Sequence, residues 1–406
     1  MNNLNNIINF NFKKRNVVLR VDYNVPLKNK EIKDTIRIDK TMETINFLFK
    51  KDINNLIIIS HLGRPGGKIV PDLTLMPIFN YLKSYIPSLK FLNLDECLNN
   101  ISDYHKKVIL LENIRFYPEE ERKSDNDKID IFEKKLAKLG EIFVNDAFGT
   151  SHRNHCSVIG KYFKFKFHGF LIKKELTKLE SLKNNIKRPF TCILGGAKVN
   201  DKIKLIYNLL DNVDNILIGG GMAFTFLKIR DNINIGSSLY DSDSEAEVKK
   251  ILLKAQEKNV KIYLPVDFMT SDKISDHANI SYSTLKDGIR DGYMGLDIGM
   301  LTTINFGKII INSKTILWNG PMGVFELEKF STGSRMISDS LIKLSEQQVL
   351  SSEIIIAGGD TIFCFKKNYF CAPFIYLSTG GGSTLKYLEG SKMPGIDEIS
   401  NYKNEL

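Results

Sequence analysis

Ten short apolar runs, rich in β-branched residues, constrain this chain more than any other feature. They are "VVLRV" (17–21), "NLIIIS" (55–60), "KVILL" (107–111), "EIFVN" (141–145), "FTCIL" (190–194), "NILIG" (215–219), "KIYLP" (261–265), "TILW" (315–318), "EIIIA" (353–357) and "FIYLS" (374–378). Each is followed by a turn and a helix-like stretch. A strand that is apolar on both faces must be covered on both faces, and connections long enough to hold a helix return the chain parallel. The pattern therefore predicts α/β architecture with doubly wound parallel sheets.

The 406 residues suit two domains, each large enough to bury its own core. Between the fourth and fifth runs lies "KKELTKLESLKNNIKRP", with Leu176, Leu179, Leu182 and Ile186 at helical spacing and Pro189 at its end. It predicts one helix joining two doubly wound (Rossmann-like) domains, with a central cleft. The expected boundaries are 1–172 for the first domain, 173–187 for the connecting helix and 188–390 for the second domain. Residues 391–406 are expected to pack back on the first domain.

No apolar run approaches the ~20 residues that span a bilayer. "MNNLNNIINFNFKKRNVVLRV" has no signal-peptide core. Five scattered cysteines without CxxC spacing argue for a reducing compartment and against a zinc site. The expected location is the cytoplasm, with no membrane partner. The formal net charge of +10 admits nucleic acid or small anionic ligands as partners. A general bias toward Lys, Asn and Ile accounts for many surface lysines, but not for arginines set at strand ends. No basic stripe with interleaved aromatics and no nucleic-acid-binding module is present, which disfavours nucleic acid.

Ligands of open parallel sheets bind beyond the carboxyl ends of the strands. In the first half those ends carry charge: Asp22 and Asn24 in "RVDYNVP", Arg37 in "DTIRID", His61 and Arg64 in "SHLGRPGG", Arg115 in "LLENIRFYPEEE", and His152, Arg153 and His155 in "VNDAFGTSHRNH". Guanidinium groups bind carboxylate and phosphate through paired N–H donors. Four arginines facing one cleft predict a small ligand with more than one anionic group. Taken singly, each has a structural alternative. Asp22 and Asn24 are good turn formers, Arg115 can pair with Glu119, Glu120 or Glu121, and His155 can be a satisfied buried histidine.

In the second half the strand ends carry glycine: "ILGGAKVNDK", "IGGGMAFTF", "WNGPMGVFE", "IAGGDT" and "STGGGSTL". Glycine is common in any tight strand-to-helix turn. Five such loops, with Lys198 and Lys202 in the first, predict backbone N–H groups cradling a nucleotide polyphosphate. Neither GxGxxG nor GxxxxGK[ST] occurs, which disfavours a nicotinamide oxidoreductase and a P-loop enzyme. Asp360 is a candidate Mg²⁺ ligand or a helix N-cap.

Along nearly its whole length the chain resembles the phosphoglycerate kinase family. The resemblance rests on "VVLRVDYNVPL", "IIISHLGRPGG", "LLENIRFYPEEE", "VNDAFGTSHRNH", "GFLIKKEL", "RPFTCILGGAKVNDKI", "LIGGGMAFTFLK", "LPVDF", "GYMGLDIG", "LWNGPMGVFE", "GGDT" and "STGGGSTLKYLEG", in that order. It implies reversible, Mg²⁺-dependent phosphoryl transfer between ATP and 3-phosphoglycerate, giving ADP and 1,3-bisphosphoglycerate, by a monomer. It implies an acid-substrate site of Asp22, Asn24, Arg37, His61, Arg64, Arg115 and Arg153. It implies nucleotide contacts from Lys198, Lys202, Gly220, Gly221, Gly295, Asn319, Pro321, Val324, Glu326, Gly358, Gly359, Asp360 and Thr361, with Asp360 on the metal. Arg37, Lys198 and Gly359 are expected at the transferring phosphoryl group. Tyr293 stands where the family commonly has Trp, Met300 where it has Pro, Ala357 where it has Gly and Tyr23 where it has Phe. Ala357 bears most on the phosphate loop.

Overall fold

The computed structural model describes residues 7–184, 186–347, 352–369 and 374–404. The chain divides into two compact units, 1–177 with 391–406, and 178–390. Both have an open, six-stranded, all-parallel sheet.

In the first unit the strands lie in the order Leu89–Leu92, Val108–Leu111, Leu56–Ile59, Val17–Arg20, Ile142–Asn145, Phe165–His168. Alternate residues serve opposite faces. Val17, Leu19, Leu56 and Ile58 join one apolar cluster, while Val18, Ile57 and Ile59 join another. Both faces are buried, so a polar residue in these strands needs a buried partner. At roughly 25 cal/mol per Å² of apolar surface, such double burial contributes about 1.5–3 kcal/mol per large side chain. Two strands are absent from the predicted set. Leu89–Leu92 is "LKFL" and Phe165–His168 is "FKFH", each interrupted by lysine. Lys166 is buried all the same: its ammonium lies 3.1 Å from Glu398 and 4.5 Å from the Tyr402 ring centroid. Helix Pro394–Ser400 belongs to this unit, where Gly395 N–H donates to the Ser151 carbonyl at 2.9 Å and Asn145 Nδ2 donates to the Gly395 carbonyl at 3.0 Å.

In the second unit the order is Lys261–Tyr263, Asn215–Ile218, Phe190–Leu194, Thr315–Asn319, Glu353–Ala357, Ile375–Leu377. A separate antiparallel sheet of Asp267–Ser271, Ile280–Thr284 and Met294–Ile298 has no counterpart in the sequence reading. Its strand Ile280–Thr284 alternates exposed and half-buried residues, so it offers no apolar run.

The connecting helix spans Phe170–Ser181, not 173–187. It starts early because tertiary contacts cap it: the Asp146 carboxylate accepts from Ile172 N–H at 3.1 Å and the Thr44 hydroxyl accepts from Phe170 N–H at 3.0 Å. It stops early, ahead of Lys183 and Asn184, where asparagine favours turns. Ile186, placed on the helical face by spacing, lies outside it.

In each sheet the strand order reverses beside the first strand of the unit. These switch points are Val17–Arg20 against its two neighbours, and Phe190–Leu194 against Thr315–Asn319. Crevices at such points bind ligands.

Candidate active site

At the first switch point the charged loops converge. Arg37 Nη1 donates to Asp22 Oδ2 and to the Asn24 carbonyl, each at 3.0 Å. Asp22 Oδ1 lies 3.8 Å from His61 Nδ1. Gly63 N–H donates to Asn24 Oδ1 at 2.9 Å, and Arg115 Nη1 donates to the Gly63 carbonyl at 2.7 Å. Arg64, next along this loop, is exposed. The loop bends at Gly63 (φ +62°), Gly66 (φ +69°) and Gly67 (φ +77°), backbone that side chains resist. Arg153 acts electrostatically on both His61 and Arg115, so the fourth arginine belongs to the same cluster.

Charge and solvation in this cluster are unbalanced. His61 and Arg115 are both 2% exposed. Among the described residues, Arg115 Nη2 and Arg153 Nε are buried without a hydrogen-bond partner. Arg115 Nε lies 3.3 Å from Glu121 yet makes no hydrogen bond. Burial and the neighbouring guanidiniums pull Arg115 down to about 10. The same causes hold His61 well below the ordinary imidazole range and bring His155 to about 3, so both rings are neutral at pH 7. An unsatisfied buried donor costs about 1–3 kcal/mol. A ligand with several anionic oxygens removes that cost.

The sequence reading missed Arg20 and Ser157 in this network and offered Glu120 only as a possible partner of Arg115. Arg20, at the end of "VVLR", is fully buried; it donates through Nε to the Ser157 hydroxyl at 2.8 Å and through Nη1 to the Val21 carbonyl. Glu120, also fully buried, accepts the Ser157 hydroxyl at 2.6 Å and the Ser157 N–H at 2.9 Å. The signal for Arg20 was available: a lone arginine at the end of an otherwise apolar buried strand needs a reason. Ser157 carried no such signal.

At the second switch point a 270 Å³ cavity is lined by Gly196, Lys198, Lys202, Asn319, Pro321, Gly358, Gly359, Asp360, Thr361 and Gly382, among others. The Lys202 ammonium donates to the carbonyls of Gly195 (2.6 Å) and Asn319 (2.7 Å), the ends of the two switch-point strands. Burial lowers it to about 8. Lys198, Gly359 and Asp360 are exposed at the rim. Helix Gly359–Asn368 opens toward this cavity with Asp360 in its first turn. The Thr361 hydroxyl accepts Gly320 N–H at 2.7 Å, and Asn319 Nδ2 donates to the Ala357 carbonyl at 2.8 Å. Gly220 (φ +65°) sits against the loop: a Cβ there would meet Gly196 backbone at 2.7 Å. Gly221 precedes helix Met222–Asp231. Gly295, Val324 and Glu326 lie outside the cavity lining, with Gly295 N–H held by the Ser238 hydroxyl at 2.9 Å.

The four sequence departures are accommodated. Ala357 is a buried strand residue, and the positive φ falls on Gly358 (+97°), so this loop keeps its glycine where the backbone requires one. Met300 opens helix Met300–Ile311 under a cap from the Asp267 carboxylate, which accepts Leu301 N–H at 2.9 Å and Thr302 N–H at 2.8 Å. The Tyr23 hydroxyl, fully buried, lies 2.9 Å from the Thr41 hydroxyl. Tyr293 is covered by Arg290 at 3.6 Å from its ring centroid.

Among the described residues no group of three or more His, Cys, Asp or Glu side chains is placed to hold a metal ion. Asp360 and Asp201 are the carboxylates lining the cavity, and one or two carboxylates fit Mg²⁺ that is carried mainly by the oxygens of a bound polyphosphate. No helix among them is long and apolar enough to cross a membrane.

A family model described as phosphoglycerate kinase matches residues 7–391. The chain belongs to the phosphoglycerate kinase family. Phosphoglycerate kinase from Schistosoma mansoni is 43% identical over 413 residues, covering 97% of this chain and 98% of that one. The Plasmodium falciparum phosphoglycerate kinase is 42% identical over 405 residues, covering 96% of each chain. The solved structure of phosphoglycerate kinase from Coxiella burnetii superposes with a TM-score of 0.83 at 34% identity, over 97% of this chain and 98% of that one. The activity of this family is phosphoryl transfer between ATP and 3-phosphoglycerate.

Proposed function

We propose that this chain catalyses reversible, Mg²⁺-dependent phosphoryl transfer from ATP to the carboxylate of 3-phosphoglycerate, as a cytoplasmic monomer. The observation that carries the reading is the pair of buried, unpartnered guanidinium donors on Arg115 and Arg153. They are suited to a ligand bearing both carboxylate and phosphate.

The nucleophile is the substrate's own carboxylate, ionised at neutral pH because its pKa is ~4. No general base is needed. One carboxylate oxygen attacks the γ-phosphorus, the bond to the bridging oxygen breaks, ADP leaves, and no proton moves. The barrier is the approach of two anions, so catalysis rests on alignment and charge neutralisation. His61, Arg64, Arg115 and Arg153 hold the acid substrate, while Asp22 and Asn24 orient its hydroxyl and carboxylate. Arg37 from the first unit and Lys198 from the second flank the transferring group. Lys202 and the backbone N–H groups of Gly358, Gly359 and Thr361 hold the nucleotide phosphates; Asp360 would hold Mg²⁺, which neutralises phosphate charge when bound. Gly220, Gly221, Gly295, Asn319, Pro321, Val324 and Glu326 surround the adenosine.

The acid-site residues all belong to one unit and the phosphate-site residues to the other. We infer that closure about the connecting helix brings the two bound reactants together and excludes water. A radius of gyration unchanged by both ligands together would count against closure. The reaction itself is tested by coupling ATP, 3-phosphoglycerate and Mg²⁺ to oxidation of a reduced nicotinamide. Turnover that needs all three supports the reading, and its absence in folded protein sinks it.

A further inference from the structure

The buried pair Glu120–Ser157 lies behind the acid site, outside any role given so far. A guanidinium only donates, so the Ser157 hydroxyl accepts from Arg20 Nε at 2.8 Å. On its other side the hydroxyl lies 2.6 Å from Glu120 Oε1, a carboxyl that burial pushes above its ordinary range. The Ser157 N–H adds a second tie to Glu120 at 2.9 Å. Arg20 Nη1 is spent on the Val21 carbonyl. That leaves Nη2, which lies 3.4 Å from His61 Nδ1.

Because Arg20 cannot accept, we infer that Ser157 and Glu120 are positioning residues that aim Arg20 at His61 Nδ1 and thereby hold His61 as the neutral Nε2–H tautomer. His61 then presents an N–H donor at Nε2 to an anionic substrate. The rival for Nδ1 is the Asp22 carboxylate, 3.8 Å away, which would call for a proton on Nδ1 instead. Asp22 is already engaged by Arg37 at 3.0 Å, through its other oxygen. Burial, and after it the charges of Arg20, Arg115, Arg153 and Arg37, oppose protonation of the ring, which keeps the second proton off.

The tautomer is read directly from the ring ¹⁵N shifts of histidine-labelled, full-length protein at pH 7, with His61 assigned by the signal lost in His61→Gln. A pyridine-type Nδ1 with a pyrrole-type Nε2 supports the inference. A protonated Nδ1, or an imidazolium, overturns it. Ser157→Ala leaves the Arg20 Nε donor without its acceptor and should shift His61 toward a mixture of tautomers, with the native fold of the variant checked by its amide spectrum. Only the kinetic arm rests on the proposed function. There Ser157→Ala should raise the KM for 3-phosphoglycerate about tenfold, the worth of one misaligned charge-assisted hydrogen bond, while the kcat and the KM for ATP stay within about twofold. Unchanged shifts and unchanged KM in a folded variant would refute the positioning role. A chain without turnover would defeat the functional reading and leave the ¹⁵N result to decide this one.

Discussion

Lys202 makes a prediction whose size can be worked out. An ammonium has three donors. Two are used on the carbonyls of Gly195 and Asn319, at 2.6 and 2.7 Å, which leaves one for a ligand in the cavity. Burial has brought the group to about 8, so it is charged at pH 7 and largely neutral at pH 9. A polyphosphate binds the charged form. Above pH 8 the free protein must first take up a proton, and its affinity for ADP should fall about tenfold between pH 7 and pH 9. The phosphates of ADP are already ionised over that range, their last pKa being ~6. Lys202→Met removes the remaining donor, worth about 1.5–3 kcal/mol as a hydrogen bond to a charged group, or roughly 10- to 150-fold in Kd at pH 7. It should also abolish the pH dependence. Titration calorimetry at pH 7, 8 and 9, in buffers of different ionisation enthalpy, measures both the affinity and the proton uptake. Wild-type affinity that is flat from pH 7 to 9, with no proton uptake, would refute the reasoning without recourse to a variant.

Other outcomes can be checked alongside. Arg37→Ala should lower kcat by about 10²–10³, the usual loss for one preorganised donor at developing charge, and near-normal turnover would remove Arg37 from the chemistry. Gly220→Ala places a Cβ 2.7 Å from the Gly196 backbone at φ +65°, so it should cost roughly 1–3 kcal/mol in urea unfolding and weaken ADP binding; an unchanged urea midpoint would speak against a strained turn. Asp297, buried and held at about 7, accepts Gly333 N–H at 2.7 Å. Between about pH 4 and 7 the folded state keeps a proton there that the unfolded state has lost, so this group lowers stability as pH rises through that window. Asp297→Asn should flatten that part of the profile, read as the difference from wild type at pH 5 and 7.5 so that the buried histidines, which act in the opposite direction, cancel.

The runs "LIII" and "EIIIA" could only be strands buried on both faces, and so the two parallel sheets were readable from the chain. The arginines of the first half fall in one unit and the glycines of the second in the other, because chemistry at strand ends is local: a charged or glycine-rich turn follows its own strand. Reading was weakest where a residue's environment comes from distant sequence. "FKFH" is a strand because Lys166 finds Glu398 and Tyr402, more than two hundred residues away along the chain. Helix Phe170–Ser181 begins where Asp146 and Thr44 cap it, not where its apolar spacing begins.

By itself, then, the order of residues determined the α/β class, the division into two units and the types of group offered to each crevice, since periodicity and turn chemistry act over a few residues. Only the tertiary structure decided which of those groups are desolvated, which donors lack acceptors and which way a buried proton points. Those properties depend on the dielectric and partners around an atom. At Arg20, Glu120, Ser157 and His61, these come from four separate stretches of the chain brought together by the sheet.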